Sequence, residues 1–369
     1  MRDLLENFAP ISKADWLKQI EQDLKGRPLQ ELVWQAAPGL DIDPLVHAED
    51  FPEPPLPLAG HNLHWEICEQ VYAQYPAATN AQALQALEYG AEALVFDRET
   101  PWTPVAIEKT LAGMHLDFIS IYFKGDSIIQ DPGGLLSALI AHAQGKTLRG
   151  GLERTLVQEG RLTDWRYAAD MAAFALEQTP GLRTICISAE GIAHPVDSVA
   201  SLLKQGHEHF IKLQENGLSP VHAAAQIQFK VDCGVQYLIE IARLRAFRQL
   251  WLQVLDAWGV MANYPVVYAT FNPDSYTDDL HSNMVRATTM AMSAVIGGAD
   301  RLTVRPYDAG REVQSDTRAA FGRRIARNVQ HLLKMESGFE TLSDPAAGSY
   351  YIESLTRQIA TLAWEKFKV

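Results

Sequence analysis

From residue 60 onward, short apolar runs typical of β-strands alternate with longer amphipathic runs typical of helices, and this alternation constrains the fold most strongly. It predicts a parallel sheet joined by crossover helices. The eight strand candidates are residues 63–71, 91–97, 116–123, 147–153, 182–190, 235–241, 265–271 and 300–306. Eight units favour the α/β class and a (β/α)8 TIM barrel, which typically takes about 250 residues, over an open doubly wound sheet, which stays the alternative.

Five amphipathic segments between the strands predict crossover helices, at residues 80–91, 103–114, 131–145, 164–178 and 239–259. Residue types also mark two helix boundaries. Asp131 is a good N-cap acceptor, and Pro132 suits the first helical position because no backbone N–H is needed there. The pair Gly297 and Gly298 predicts the end of a helix directly before the last strand.

The first 60 residues differ from the rest and are predicted to form an arm. Ser12 is expected to open a short helix that carries Trp16 and Leu24 on one stripe. The run 44–57 contains five prolines, so it is predicted to be extended. An arm of this kind either wraps its own domain or reaches a partner.

The charge balance limits the partners that the chain can have. Lys and Arg total 32 against 45 Asp and Glu, a net charge of −13. The basic residues are scattered, so neither a nucleic acid nor an anionic membrane is expected as a partner. The N-terminal segment contains Asp3 and Glu6 and no continuous apolar stretch, so no signal peptide or transmembrane span is expected and the cytoplasm is the default location.

Motifs that often carry metal or thiol chemistry are incomplete. Cys68, Cys186 and Cys233 lie far apart with no C-x-x-C spacing, so reduced structural thiols are expected. His207 and His209 flank a glutamate, which is not the i, i+4 spacing that places two imidazoles on one helix face. We expect this H-E-H triplet to lie at the surface, and we expect no metal site.

In a (β/α)8 barrel, functional groups lie at the carboxyl ends of the strands. The polar residues at the predicted strand ends are Asp97, Lys124, Asp126, Glu153, Arg154, Glu190, His194, Asn272, Asp274, Arg305 and Asp308. They suit an acid–base or anion-binding site, although a solvated rim contains the same residue types. His194 is the best single histidine for proton transfer, with a role in helix initiation before Pro195 as the alternative.

Five blocks of sequence resemble, in order and spacing, the substrate-binding barrel of the methylmalonyl-CoA mutase family, most closely its small, non-catalytic subunit type. They are YLIEIARLRAFRQLW at 237–251, NMVRATTMAMSAVIGGADRLTV at 283–304, RRIARNVQHLLKMESG at 323–338, DPAAGSYYIESLT at 344–356 and the pair AW at 363–364. The run 23–45 resembles the family's N-terminal arm. The resemblance implies an arm at 1–60, an acyl-CoA-type barrel at 61–345 and a C-terminal helix at 346–369 that leads toward a linker and a cobalamin domain.

The resemblance also implies a chemistry and a cofactor for the family's catalytic chain. That chain interconverts methylmalonyl-CoA and succinyl-CoA by a radical route that adenosylcobalamin initiates, and the coenzyme A tail threads the barrel axis. The cobalamin signature D-x-H-x-x-G does not occur in this sequence. We therefore expect no cofactor in this chain, which is either part of a longer chain or naturally short.

Three positions depart from the catalytic pattern. The family's T-M-Y-x-x-R-P-W-T block is replaced by HNLHWEICEQVYAQY at 61–75, which lacks the tyrosine at the equivalent place. Glu153 stands where the family has a glutamine, and a carboxylate there would repel an anionic substrate. Val267, or Tyr268 if the alignment shifts by one, replaces a histidine. The candidate pocket at the barrel mouth then comprises Glu153, Glu190, His194, Tyr268, Asp274 and Arg305.

These matches and departures predict a small-subunit-like chain, inactive alone, that stabilises a catalytic large subunit in a heterodimer through its arm. A self-dimer is the other assembly considered. One alternative is an acyl-CoA mutase barrel that is active with a separate cobalamin-binding chain. Another is a barrel that binds coenzyme A, an acyl-CoA or a different ligand without doing chemistry.

Overall fold

The computed structural model describes residues 11–58, 60, 64–153, 164–261, 264–310 and 316–369. The first helix, α1 (Lys13–Leu24), begins where the sequence predicts. The Ser12 hydroxyl accepts from the Asp15 N–H at 3.1 Å, and the Asp15 carboxylate accepts from the Ser12 N–H at 3.2 Å. This reciprocal pair satisfies two N–H groups that a helix start otherwise leaves without partners.

The rest of the arm packs on its own barrel. Strands β1 (Trp34–Ala37) and β2 (Leu40–Ile42) form an antiparallel hairpin that the sequence analysis did not predict. Leu40 and Ile42 are buried in the main core. The Pro-rich run has no regular secondary structure apart from one 3₁₀ turn at Ala48–Asp50.

Nine parallel strands form the barrel, and the fold prediction is confirmed. They are β3 (Glu66–Tyr72), β4 (Ala93–Asp97), β5 (Ser120–Lys124), β6 (Arg149–Leu152), β7 (Leu182–Arg183), β8 (Ile185–Ser188), β9 (Ile227–Cys233), β10 (Val267–Phe271) and β11 (Arg301–Thr303). Their order is β7–β6–β5–β4–β3–β11–β10–β9–β8. Only Thr184 separates β7 from β8, so these two short strands together occupy one strand position. The barrel therefore has eight strand positions.

Helices surround the barrel between successive strands. They are α2 (Pro76–Glu88), α3 (Pro104–Leu111), α4 (Ser127–Gln130), α5 (Pro132–Ala143), α6 (Trp165–Gln178), α7 (Pro195–Glu215), α8 (Pro220–Gln226), α9 (Tyr237–Ala257), α10 (Leu280–Ile296), α11 (Asp316–His331) and α12 (Tyr350–Lys368). All five predicted helices are present. Asp131 caps α5 by accepting from the Gly134 N–H at 2.8 Å, and α10 ends at Gly297.

One predicted strand is wrong. Residues 235–241 mostly belong to α9, and the sixth barrel strand is β9. Every residue of β9 is buried, although its sequence, IQFKVDC, contains Lys230 and Asp232. Its charged side chains mask the strand pattern, whereas the start of α9 is apolar enough to imitate one, because that helix is buried on most sides.

The two faces of the barrel strands differ in chemistry. Leu94, Phe96 and Phe123 lie on outward faces and are fully buried in an apolar layer beneath the helices. Inward faces carry many polar groups, among them Lys230 and Arg301. Part of the buried charge therefore lies along the barrel axis, and another part joins α9 to α12 through Arg245, Asp344 and Glu353.

Candidate functional site

The centre of the barrel holds an arginine between two tyrosine rings. Register places Arg301 on β11 beside Tyr268 on β10, with Tyr122 on β5 across the interior. The Arg301 guanidinium carbon lies 3.2 Å from the Tyr122 ring centroid and 3.8 Å from that of Tyr268. The side chain of Arg301 is only 2% exposed. Stacking on both faces holds a charged group in an otherwise dry layer.

An ion-pair network extends from this stack. Arg301 Nη2 lies 2.7 Å from Glu153 Oε1, and Lys230 Nζ lies 3.4 Å from Glu153 Oε2. Lys230 also pairs with Glu190 at 3.1 Å. Glu153, which directly follows β6, thus lies between two cations, and its side chain is fully buried. These side chains fill the axis.

Burial and neighbouring charges shift the pKa values of these groups. Burial disfavours the charged form of Lys230, but attraction to Glu153, Tyr268 and Glu190 outweighs it and raises the pKa above its ordinary value. Burial raises the pKa of the Cys68 and Cys186 thiols to about 12. The three cysteines are buried and free of disulfides, as predicted, and the two thiols nearest the axis stay protonated at neutral pH.

Cavities open on both sides of the filled layer. The larger, of about 940 Å³, lies at the amino ends of the strands and includes Glu66, Arg149 and Arg183 in its lining. Glu66 accepts hydrogen bonds from the Ser120 hydroxyl and, at 3.1 Å, from the Tyr122 hydroxyl. Tyr122 and Arg301 form the inner end of this cavity.

The second cavity, of about 600 Å³, lies at the carboxyl ends of β3, β4, β10 and β11, with α11 as one wall. We call it the mouth cavity. Glu69 on β3 pairs with Arg327 and, at 3.6 Å, with Arg323, both on α11. Asp97 accepts from Gln70 Nε2 at 2.8 Å and lies 3.8 Å from Lys124 Nζ.

The structure brings together only some of the predicted site residues. Glu153, Glu190 and Tyr268 meet around Lys230 and Arg301. Five of the predicted polar residues line the mouth cavity, namely Asp97, Lys124, Glu190, Arg305 and Asp308. Asp126 is exposed. Asn272 and Asp274 belong to a 3₁₀ turn that contributes only Pro273 to the cavity lining described. Arg154 lies outside the described residues.

His194 lies at the N-cap of α7, away from both cavities as described, and its ring nitrogen Nε2 contacts the Pro38 carbonyl oxygen at 3.0 Å. It therefore joins the arm hairpin to the barrel. The surface prediction is wrong for His209, which is 1% exposed and packs edge-on against Trp165. His209 lies beside Phe210 on the face of α7 that packs against the rest of the protein, so both side chains are buried.

Sequence reasoning missed Tyr122, Lys230 and Arg301, the residues that complete the central network. Each occupies an inward position of a short strand. Tyr122 and Lys230 have apolar neighbours on both sides, as in ISIYFK at 119–124, whereas Arg301 lies between Asp300 and Leu302. A polar or charged residue inside a short strand-like run was the available signal. It pointed to a buried ion pair but not to the partner.

The described residues contain neither a metal-binding cluster nor a membrane-spanning helix. No three or more His, Cys, Asp or Glu side chains among them are arranged to hold a metal ion. No helix that the structure describes is both long and apolar enough to cross a membrane.

Comparison with known proteins gives a consistent result. The family model described as methylmalonyl-CoA mutase matches residues 154–369. A methylmalonyl-CoA mutase small subunit from Porphyromonas gingivalis is 30% identical over 99% of this chain and 63% of its own length. The small subunit from Streptomyces virginiae is also 30% identical, over 99% of this chain and 64% of its own. A methylmalonyl-CoA mutase from Rhizobium meliloti is 26% identical over 95% and 56%. The chain thus spans less than two thirds of these relatives.

Proposed function

Because the chain belongs to the methylmalonyl-CoA mutase family, we propose that it acts as a small-subunit-type chain that binds a catalytic large subunit and does no chemistry itself. The observation that supports this is the filled axis. Arg301, Tyr122, Tyr268 and Glu153 occupy the path that the resemblance assigns to coenzyme A. A substrate would have to break a buried ion pair, and leaving one partner unpaired costs about 3–5 kcal/mol.

The replaced acyl-site positions support the same proposal. Glu153 is committed to Arg301 and Lys230, so it is an internal counter-ion, not a group waiting for substrate. The Tyr268 ring lies flat against the Arg301 guanidinium and is 3% exposed. Both residues therefore have structural partners in the places where the family's catalytic chain contacts its acyl group.

Adenosylcobalamin has no matching ligand in the mouth cavity. The family's cobalamin signature, which supplies a histidine to the metal, belongs to the cobalamin domain, and no histidine is among the residues described as lining the mouth cavity. Several of its charged residues are instead paired with one another, as Glu69 is with Arg327 and Asp97 with Lys124. We therefore propose that the cofactor acts on the large subunit and that the described residues of this chain do not hold it.

We propose that the arm contacts the large subunit, and that helix α1 is the part of the arm that makes this contact. The segment from Trp34 to Leu58 packs on its own barrel through Leu40, Ile42 and Phe51, so its loss would expose the core. In α1 only Leu24 is buried, and Lys13 reaches Asp50 at 2.6 Å. Most of the α1 surface is thus free to meet a second chain. The cytoplasmic location stays a prediction.

The test is light scattering coupled to size exclusion, on the chain alone and mixed with the cognate large subunit. We expect a stable one-to-one heterodimer, and weaker association after removal of residues 1–27, which leaves the hairpin intact. Unchanged affinity of the shortened chain would contradict the role of α1. A self-dimer that does not bind the large subunit would contradict the proposed heterodimer.

A second measurement addresses the enzyme and ligand-binding alternatives. Calorimetric titration of coenzyme A into the chain alone is expected to give no binding tighter than about 1 mM. With adenosylcobalamin, methylmalonyl-CoA and a separate cobalamin-binding chain, we expect no turnover. Turnover that disappears in Glu153→Ala would establish the active-barrel alternative instead.

A further inference from the structure

Two residues of opposite charge in the mouth cavity, the partly exposed Arg305 and the buried Asp308, have no ion-pair partner among the described residues. Arg305 Nε and Asp308 Oδ2 are both inaccessible to solvent and make no hydrogen bond within the part of the chain that the structure describes. Both residues line the cavity, and Asp308 is 7% exposed. No nitrogen–oxygen approach within 4.0 Å joins them into an ion pair. Buried polar groups without partners are rare in native proteins, so each needs an explanation.

The other described charges in this cavity already have partners. Glu69 is paired with Arg323 and Arg327, Asp97 with Lys124, and Glu190 with Lys230. These are all the remaining Asp, Glu, Lys and Arg residues described as lining the cavity. Arg305 and Asp308 are therefore left as one unmatched positive and one unmatched negative group. The complementary ligand carries one charge of each sign.

The backbone around the two groups is held in place. The Tyr276 hydroxyl donates to the Arg305 carbonyl oxygen at 2.5 Å, and Asn283 Nδ2 donates to the Tyr307 carbonyl oxygen at 3.1 Å. The Asp308 carboxylate lies against Gly322 of α11, where an added Cβ would approach Oδ1 to 2.4 Å. Groups held this firmly without a partner resemble a preorganised binding site, in which less ordering entropy is lost on binding.

We propose that the mouth cavity binds an α-amino-acid-type zwitterion, with its carboxylate on Arg305 and its ammonium group on Asp308. Arg305 and Asp308 are three residues apart, so their Cα atoms lie at most about 11 Å apart, and both residues line the same cavity. Phe271, Ala319 and Ala326 provide apolar wall for the side chain. A cavity of about 600 Å³ falls within the usual range for small-molecule sites. This inference does not depend on subunit assembly, so it stands or fails separately from the proposed function.

The experiment is calorimetric titration of the full chain with three matched probes. L-leucine carries both charges, 4-methylpentanoate lacks the ammonium group, and 3-methylbutylamine lacks the carboxylate. We expect L-leucine to bind with a Kd of about 1 mM or tighter and the two singly charged probes to bind at least about tenfold more weakly. No binding by L-leucine would overturn the proposal, with ordered water then the occupant. Equal binding of all three probes would also overturn it.

Variants assign the binding to the two groups. Arg305→Gln and Asp308→Asn are each expected to weaken L-leucine binding at least about tenfold, which corresponds to about 1.4 kcal/mol. The control is Asp274→Asn, a carboxylate outside the described cavity lining, which should bind as the unchanged chain does. Arg305→Met, which removes the charge but keeps a long side chain, serves if Arg305→Gln does not fold. Binding that is unaffected in Asp308→Asn and in the Arg305 variant contradicts the site.

Discussion

Glu153 and Arg301 form a 2.7 Å ion pair at the centre of the barrel, between side chains that are 0% and 2% exposed. The partners come from β11 and from the residue after β6, on different sides of the barrel. The Tyr122 and Tyr268 rings cover the guanidinium faces, and Lys230 approaches the carboxylate from a third strand. This pair closes the passage between the two cavities.

Replacing Glu153 with glutamine tests the network. Glu153→Gln leaves Arg301 and Lys230 buried near each other without their shared carboxylate, so we expect a loss of about 3–5 kcal/mol in the free energy of unfolding. Glu190→Gln is the matched control. Because Glu190 is 43% exposed, this substitution should lower the free energy of unfolding by under about 1 kcal/mol. Urea unfolding measures both. Equal losses would mean that the central carboxylate has no special role.

The buried histidine on α7 predicts a pH effect. Burial lowers the pKa of His209, outweighing the hydrogen bond from its ring to the Gln205 carbonyl oxygen and the attraction of Glu208. An unfolded histidine titrates near about 6.5, so below that pH the unfolded state binds more protons. Stability is therefore complete above about pH 6.5 and falls as the pH drops toward the folded-state value.

His209→Gln should reduce this acid-induced loss. Burial also lowers the pKa of His207, so His207 makes the protein less stable at acid pH in the same way. Part of the acid-induced loss should therefore persist in His209→Gln. Urea unfolding at about pH 7.5 and about pH 5.5 measures the difference. The control is His222→Gln at an exposed position, which should keep the wild-type pH dependence. A wild-type-like slope in His209→Gln would show that His209 is not involved.

Gly150 on β6 is required by a close backbone approach. An added Cβ would lie 1.7 Å from the Ile121 carbonyl oxygen of β5, and φ is +133°. Gly150→Ala should therefore separate the β5–β6 pair and cost more than about 4 kcal/mol. Gly145→Ala has φ +84° but open space around its Cβ, so only backbone strain of about 1–2 kcal/mol is expected. Thermal unfolding compares them, and similar losses would refute the steric explanation.

Arg245 on α9 joins the C-terminal region to the barrel. Its fully buried guanidinium pairs with Asp344 and, at 2.6 Å, with Glu353 of α12. Arg245→Met leaves two buried carboxylates near each other, and we expect a loss of about 3–5 kcal/mol and faster proteolysis of α12. The control is Lys368→Ala, which removes an exposed ion pair with Glu365 and should lower the free energy of unfolding by no more than about 1 kcal/mol. Slow proteolysis in Arg245→Met would show that apolar packing alone holds α12.

Local patterns explain the successful predictions. The α1 capping box, the Asp131–Pro132 start of α5 and the Gly297 end of α10 depend on interactions within a few residues, so the sequence shows them directly. The sequence analysis missed strand β9 for the opposite reason. Its inward Lys230 and Asp232 find partners on other elements, so the strand lacks the apolar pattern that predicts one.

The sequence by itself determined the (β/α)8 class, because the periodic burial of apolar residues on strands and helices is a local property of the chain. It also determined the family, through blocks whose order and spacing are linear features. Only the tertiary structure decided that the axis is filled, that His194 contacts the arm and that Arg305 and Asp308 have no ion-pair partner among the residues described. Those facts depend on which side chains meet across the barrel. Glu153 and Arg301 are distant in the chain, and their contact exists only because the sheet closes on itself.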